Sequence, residues 1–370
     1  MISLFYPQKY VDEWLEEIGK VFDSRWIGQG PLVDRFEEEF GDKYGYKNCL
    51  AVNSGTAALE LAYHLIGIEE GDEVITTCFT CTATNIPLLR RKAKILFADI
   101  NDQLLIDYES VWRKVSNKTK AIVVVTLGGL PIDERIFALA YGMDIPVVVD
   151  AAQSLGVSEK YGDYICYSFQ AIKHFSTADG GMLISRNRSD YERAKKLRWF
   201  GIDREAKKRA DWKCLVNHQM AMDIEEAGYK FHMNDVAAAM GLVGLRHSDE
   251  ILDYRKALCE RYVVGLPESI QPIYGGSCWL FAILTDRRDA VMEHLKQNGV
   301  ESDLVQLRND IFKVFGGRKN NLPRMDKLED KYLYLPLNGQ VTLENVDYIT
   351  ELISDAYDKP ELLQLLSVSN

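Results

Sequence analysis

The sequence predicts an α/β protein: a large domain on a mostly parallel sheet, followed by a smaller α+β domain. Three observations carry this. Over residues 1–245, short β-branched runs alternate with segments of helical periodicity, the pattern of strands joined by crossover helices. Runs such as KAIVVVTL (120–127) and IPVVVDAA (145–152) are apolar throughout, as strands covered on both faces should be. The 370 residues, 47% hydrophobic and 27% charged, can fill a large core without metal or disulfide staples.

Taken in order, a helix is expected near 9–23, and RWIGQGPLVDRFEEEFGDKYG (25–45) should lie across the large domain. TAALELAYHLIG (56–67) has helical spacing and stops at Gly67. DEVITT (72–77), AKILFADI (93–100), residues 120–127 and 145–152, YICYSF (164–169) and GMLIS (181–185) read as strands. PIDERIFALAYGM (131–143) reads as a helix with Pro131 in its first turn and two carboxylates beside it. The character changes near 245, which sets domains of 1–245 and 246–370. SDEILDYRKALCERYVVGL (248–266), RDAVMEHLKQNGV (288–300) and LENVDYITELISDAY (343–357) read as helices; CWLFAILT (278–285) and YLYLPL (332–337) read as strands.

Composition narrows function. A net charge of −11, from 44 basic and 55 acidic residues, disfavours broad nucleic-acid binding. No apolar run reaches the ~18 residues of a membrane span, and the N-terminal stretch lacks the basic start of a secretory signal. Seven cysteines without such a signal point to reduced thiols in a cytoplasm. Cys78 and Cys81 form a C-x-x-C, but no second pair completes a zinc site; two small residues at a strand end is the plain reading, and no metal is expected.

An α/β sheet binds ligands at the carboxyl ends of its strands. The chain has neither G-x-G-x-x-G nor G-x-x-x-x-G-K-[ST], so dinucleotide and P-loop devices are absent. Ser54-Gly55-Thr56 instead precedes a helix whose free N–H groups and dipole suit one phosphate, although the same residues also make an ordinary cap. Asp150 ends a strand, and Ser168 and Lys173 lie in CYSFQAIKHFSTADGG (166–181). A phosphate cup, a carboxylate and one lysine are what pyridoxal phosphate requires: Asp150 would keep the pyridine nitrogen protonated, and Lys173 would bind the aldehyde and move a proton.

NSGTAALELA, VVVDAAQSLG, YSFQAIKHFSTADGGML and EAGYKFHMNDVAAAMGL (226–242) occur here in the order found in the DegT/StrS sugar-nucleotide aminotransferases, and the sequence resembles that family over nearly its whole length. The resemblance implies a fold-type I pyridoxal-phosphate enzyme with a seven-stranded type of sheet. It implies a homodimer with shared active sites, in which the G-Y-N segment of one subunit reaches the phosphate of the other. By position, Lys173 resembles the Schiff-base lysine and Asp150 the pyridinium partner. Gln153 resembles the residue near the ring hydroxyl, and Gly55, Thr56 and Ser168, beside Ser54, resemble phosphate ligands. The implied reaction moves an amino group from an amino acid, L-glutamate by analogy, to a nucleotide-linked keto sugar of the 4-keto-6-deoxy or 3-keto kind, for deoxyamino-sugar or polysaccharide synthesis. The alternatives are a dehydratase, in which histidine replaces the lysine, or a non-catalytic binding relative; Lys173 favours transamination.

Three positions depart from the family pattern. Lys230 stands for the Asn of G-Y-N, Cys81 for the aromatic that stacks on the ring, and TLGG (126–129) where a histidine is frequent. Around these, Trp26 and Gln29 read as sugar-pocket lining, with plain core the other reading for Trp26. His174 reads as a base or as a locally bonded loop residue. His232 and Asn234 reach across the interface or cap the next helix. Arg198, Arg204 and KKR (207–209) meet a diphosphate or form a solvated basic stretch.

Overall fold

The computed structural model describes residues 1–7, 10–157, 161–211, 213, 215–216, 219–220, 223–319 and 321–358. At its centre is a seven-stranded sheet of β1 (Cys49–Val52), β2 (Glu73–Thr77), β3 (Lys94–Ala98), β4 (Thr119–Val125), β5 (Val147–Asp150), β6 (Tyr164–Ser168) and β7 (Gly181–Ser185). The spatial order is β1-β7-β6-β5-β4-β2-β3. β2 to β6 run parallel, while β7 is antiparallel to β6 and β1. Residues 121–124 and 147–149 are buried, as their unbroken apolar runs require.

Around this sheet lie α1 (Val11–Ser24), α2 (Pro31–Tyr44), α3 (Gly55–Ile66), α4 (Thr82–Arg90), α5 (Tyr108–Lys114), α6 (Glu134–Gly142), α7 (Arg188–Leu197), α8 (Arg204–Arg209) and α9 (Asp235–Arg246). A short ribbon of β8 (Leu215–Val216) and β9 (Gln219–Met220) follows α8. α3 packs over β5, β6 and β7, which sets its N terminus at the sheet's carboxyl edge. α6 begins later than its sequence suggests because the Asp133 carboxylate accepts from the Arg135 N–H and takes the cap; Pro131 stays outside.

Sequence periodicity predicts six of the seven strands. β1 is the exception: CLAV has no alternation and is too short to signal a strand. It is an edge strand, yet all four residues are buried. Side chains replace the missing strand partner at Ala51, whose N–H donates to Glu37 Oε1 (2.8 Å) and whose carbonyl accepts from Arg198 Nη1 (2.8 Å). Arg198 and Glu37 also pair directly.

The C-terminal part contains α10 (Ser248–Gly265), α11 (Arg288–Gln297), α12 (Pro323–Leu328) and α13 (Leu343–Asp358) around an antiparallel sheet of β10 (Gln271–Ile273), β11 (Phe281–Leu284) and β12 (Tyr332–Leu335). Leu258, Tyr262, Val291, Leu295, Phe281, Leu333 and Ile349 belong to a separate buried cluster there. β11 starts three residues later than the sequence suggests. Cys278 adopts φ +46°, and residues 275–279 turn back against the large sheet before the strand begins. The first residues of the chain join this part: Ile2 bridges Val300, and the Leu4 N–H donates to Glu301 (3.0 Å).

Candidate active site

The carboxyl ends of β5 and β6 deliver Asp150 and Ser168 to one edge of the sheet. Asp150 is 5% exposed. Its Oδ2 accepts from the Thr84 hydroxyl (2.7 Å) and its Oδ1 from the Ala152 N–H (3.1 Å). Burial pushes this carboxyl above its ordinary range, against Thr84, Ala152 and the charge of Lys173, which favour ionisation. Among the described residues no Lys, Arg or His forms an ion pair with it. A buried carboxylate held by two donors but lacking a cation is suited to a cationic ligand group such as a pyridinium.

Lys173 lies in the loop after β6, half-buried. Burial lowers its amine to about 8, while Asp150 and Cys81 act the other way. Its Nζ stands 3.9 Å from the ring centroid of Trp279. Ala151, Ala152, Ser168, Lys173 and His174 share the lining of one small cavity. A larger cavity of about 970 Å³, between α2, α7 and α8, includes Trp26, Gln29 and Arg204 but neither Lys173 nor Asp150.

The turn before α3 meets Ser168. A Cβ added to Gly55 would lie 2.8 Å from Ser168 Cβ and 3.3 Å from the Tyr167 carbonyl, so only glycine lets the helix start approach β6 this closely. Ser54 Oγ accepts from the Ala57 N–H (3.0 Å), which makes it the helix cap. Thr56 occupies the first turn behind it. A helix N terminus held against a serine hydroxyl fits a phosphate monoester. With unpaired Asp150 and the buried amine of Lys173, these groups match the three demands of pyridoxal phosphate.

Gln153 is buried, with Oε1 accepting from the Gly128 N–H (3.0 Å). The residues standing where the family has a histidine therefore orient Gln153. Gly129 (φ +79°) backs onto Ser277, whose hydroxyl donates to the Gln153 carbonyl. His174 is 2% exposed, and its Nε2 bonds the Ser277 carbonyl (2.7 Å). Burial, Arg255 and Lys173 hold its pKa well below the usual histidine value, the state of a locally bonded loop residue. Cys81 stands at the N-terminal cap position of α4 without a side-chain cap bond and is exposed, whereas Cys78 is buried.

Lys230 lies beside the end of β1, where its carbonyl accepts from the Asn53 side-chain amide (3.1 Å). Its Nζ stands 3.9 Å from the Trp199 ring centroid and 3.2 Å from His232 Nε2. Burial, with Lys230, Arg204 and Arg198 nearby, lowers His232 to about 3. This segment lies along the end of β1: the Asn53 N–H donates to the Phe231 carbonyl (2.7 Å), and His232 bridges Val52. Asn234 caps α9 through the Ala237 N–H (2.9 Å). Trp26 is 43% exposed and donates to the Gln29 carbonyl (2.9 Å), so it is not core. Arg204 Nη2 donates to the same carbonyl (3.0 Å). Arg198 is committed to Glu37 and Ala51 rather than to a ligand.

Sequence reasoning misses Thr84, Ser277 and Trp279. Thr84 sits in an unremarkable helix start, Trp279 lies in the predicted strand 278–285 and Ser277 just before it, both more than 100 residues from Lys173; no local signal marks them.

The DegT/DnrJ/EryC1/StrS aminotransferase family model matches residues 8–354. The spore coat polysaccharide biosynthesis protein SpsC of Bacillus subtilis (strain 168) is 31% identical over 93% of this chain and 94% of that protein. GDP-perosamine synthase of Escherichia coli O157:H7 is 27% identical, over 92% of this chain and 95% of that protein. The structure of Spr1654 from Streptococcus pneumoniae in its PLP-form superposes with a TM-score of 0.86 at 26% identity, covering 96% of this chain and 98% of that one. With a family match across almost the entire chain and a site that fits the cofactor, the chain belongs to the DegT/DnrJ/EryC1/StrS aminotransferase family, the fold-type I, pyridoxal-phosphate-dependent sugar aminotransferases.

Proposed function

We propose that this chain transfers an amino group from L-glutamate to a nucleotide-linked keto sugar of the 4-keto-6-deoxy or 3-keto kind, as a cytoplasmic homodimer supplying aminated sugars for polysaccharide or related synthesis. The observation that carries the reading is the half-buried Lys173, its amine lowered by burial, set in the field of a buried Asp150 that has no cation of its own among the described residues at the sheet's carboxyl edge. The names of SpsC and GDP-perosamine synthase support the substrate class.

When bound, pyridoxal phosphate supplies an electron sink next to the substrate carbon. In this reading Gly55, Thr56 and Ser168 hold its phosphate, with Ser54 keeping the helix start in place. Asp150 keeps the pyridine nitrogen protonated, and Thr84 keeps Asp150 ionised. Gln153, its Oε1 taken by Gly128, would offer Nε2 to the ring hydroxyl, and Cys81 would stand where the family has the residue beside the ring. Lys230 serves the phosphate of the neighbouring copy. Lys173 would hold the cofactor's aldehyde, and its amine would be the group that moves the proton at the substrate carbon. An amine with a pKa of about 8 is roughly one-tenth neutral at pH 7, hundreds of times more than an ordinary lysine. Trp26, Gln29 and His232 would line the sugar-nucleotide pocket in this reading, while Asn234 serves as the cap of α9.

The test is a visible spectrum of the reconstituted protein before and after L-glutamate, followed by a panel of nucleotide keto sugars with product masses measured. Bleaching by glutamate and a nitrogen-containing sugar support the proposal. A deoxygenated, nitrogen-free sugar would assign a dehydratase instead. Lys173→Ala should form no visible band and give no turnover.

A further inference from the structure

The segment before β11 makes a set of contacts with the loop that carries Lys173, and neither the family match nor the sequence assigns them a role. Trp279 is 3% exposed and anchored from two sides. Its Nε1 donates to the carbonyl of Ile172, the residue just before Lys173 (2.9 Å), and its own carbonyl accepts from Arg255 Nη1 (3.0 Å). Arg255 is buried and also donates to the carbonyls of Leu337 (2.7 Å) and Cys278 (3.4 Å), so it fixes the segment to the C-terminal core. Next to Trp279, Ser277 bonds both the Gln153 carbonyl and His174.

The indole plane is therefore in register with the backbone of Lys173 before any side chain is considered. Nζ then lies 3.9 Å from the ring centroid, well within the roughly 6 Å over which an aromatic face attracts an ammonium, and tryptophan has the strongest such face. The titratable groups facing this amine are Asp150 on β5, Cys81 at the start of α4 and the adjoining His174.

We propose that Trp279 is a positioning residue for Lys173: its anchored indole face holds the ε-ammonium in one place, in the field of Asp150, whenever the amine is not attached to the cofactor. This rests on the proposed role of Lys173 and adds a second element to it. The amine released during the reaction has a defined resting place supplied by the C-terminal part of the chain. From there it returns to the reacting carbon without a search through rotamers, so the contact acts on the proton-transfer step and not on sugar binding.

The experiment adds pyridoxal phosphate to cofactor-free protein and follows the rate of visible-band formation between about pH 6 and pH 10, because only the neutral amine attacks the aldehyde. In the parent protein the midpoint should lie near 8. Trp279→Leu removes the π face that favours the ammonium, so the midpoint should fall by about one unit; Trp279→Phe keeps a weaker face and should recover about half of that. With substrates, the Leu variant should lose roughly tenfold in kcat while KM for the sugar stays within about threefold. The Phe variant tests the same proposal with a smaller shift where the Leu variant does not fold. A midpoint that is unmoved or rises in both variants would overturn it, since added water alone would raise the amine. Lys173→Ala separates the two readings. If it forms the band with the parent midpoint, the assignment of Lys173 fails; if it forms none and the Trp279 variants leave the midpoint in place, only the Trp279 proposal fails.

Discussion

Replacing Thr84 with valine removes one hydrogen-bond donor from Asp150 and, besides that, one contact with the Thr80 hydroxyl. Thr84 is fully buried in the first turn of α4, and valine keeps its branched shape. The lost bond is the 2.7 Å contact from the Thr84 hydroxyl to Asp150 Oδ2; a second contact, to Thr80 Oγ1 (2.9 Å), joins neutral groups. A hydrogen bond to a charged group contributes about 1.5–3 kcal/mol, equivalent to about 1–2 units of carboxyl pKa. Burial already raises Asp150, and Thr84 is the largest influence lowering it. Without Thr84 the carboxyl rises further and holds its proton to a higher pH. The folded value lies above the unfolded one in parent and variant alike, so the variant's extra loss of stability is absent below the parent's raised folded value, grows as the pH passes from there to the variant's higher one and is complete above it. In the loaded enzyme an ionised Asp150 is needed opposite the pyridine nitrogen, so the acid limb of the glutamate half-reaction should move up by about 1–2 pH units. Single-turnover bleaching by L-glutamate, measured against pH, reads this directly. A uniform drop in rate with the acid limb unmoved would refute the reasoning and reduce Thr84 to a packing role.

Gly55→Ala forces a Cβ to within 2.8 Å of Ser168 Cβ; overpacking of about 1–3 kcal/mol should exceed the gain in helix propensity and weaken pyridoxal phosphate binding about tenfold or more, read by fluorescence titration. Ser54→Ala removes a helix cap and should cost about 1 kcal/mol in a urea titration, with less effect on cofactor affinity than Gly55→Ala. Arg198→Met leaves Glu37 buried without its cation. Breaking a buried pair costs about 3–5 kcal/mol. Burial already raises the Glu37 carboxyl, and losing Arg198 raises it further, so the deficit should be full at neutral pH and ease on acidification; Glu37→Gln combined with Arg198→Met should recover much of it in urea unfolding.

Local chemistry in the sequence determines the parallel core of the sheet, the helix start at Ser54-Gly55 and the positions of Asp150, Ser168 and Lys173. Apolar runs, a capping residue and a strand-ending carboxylate are legible within a few neighbouring residues, and the family resemblance adds the cofactor. Tertiary structure alone decides the remainder. β1 is stabilised by the Glu37–Arg198 pair, whose members are 161 residues apart. Asp150 finds Thr84 across 66 residues, and Trp279 reaches the loop of Lys173 across 107. Asn234 and His174, each open to two readings in sequence, are engaged respectively with a helix start and a carbonyl. The physical reason is common to all of them. A buried polar group must find a partner wherever the fold supplies one, and no periodicity along the chain records which distant segment that will be.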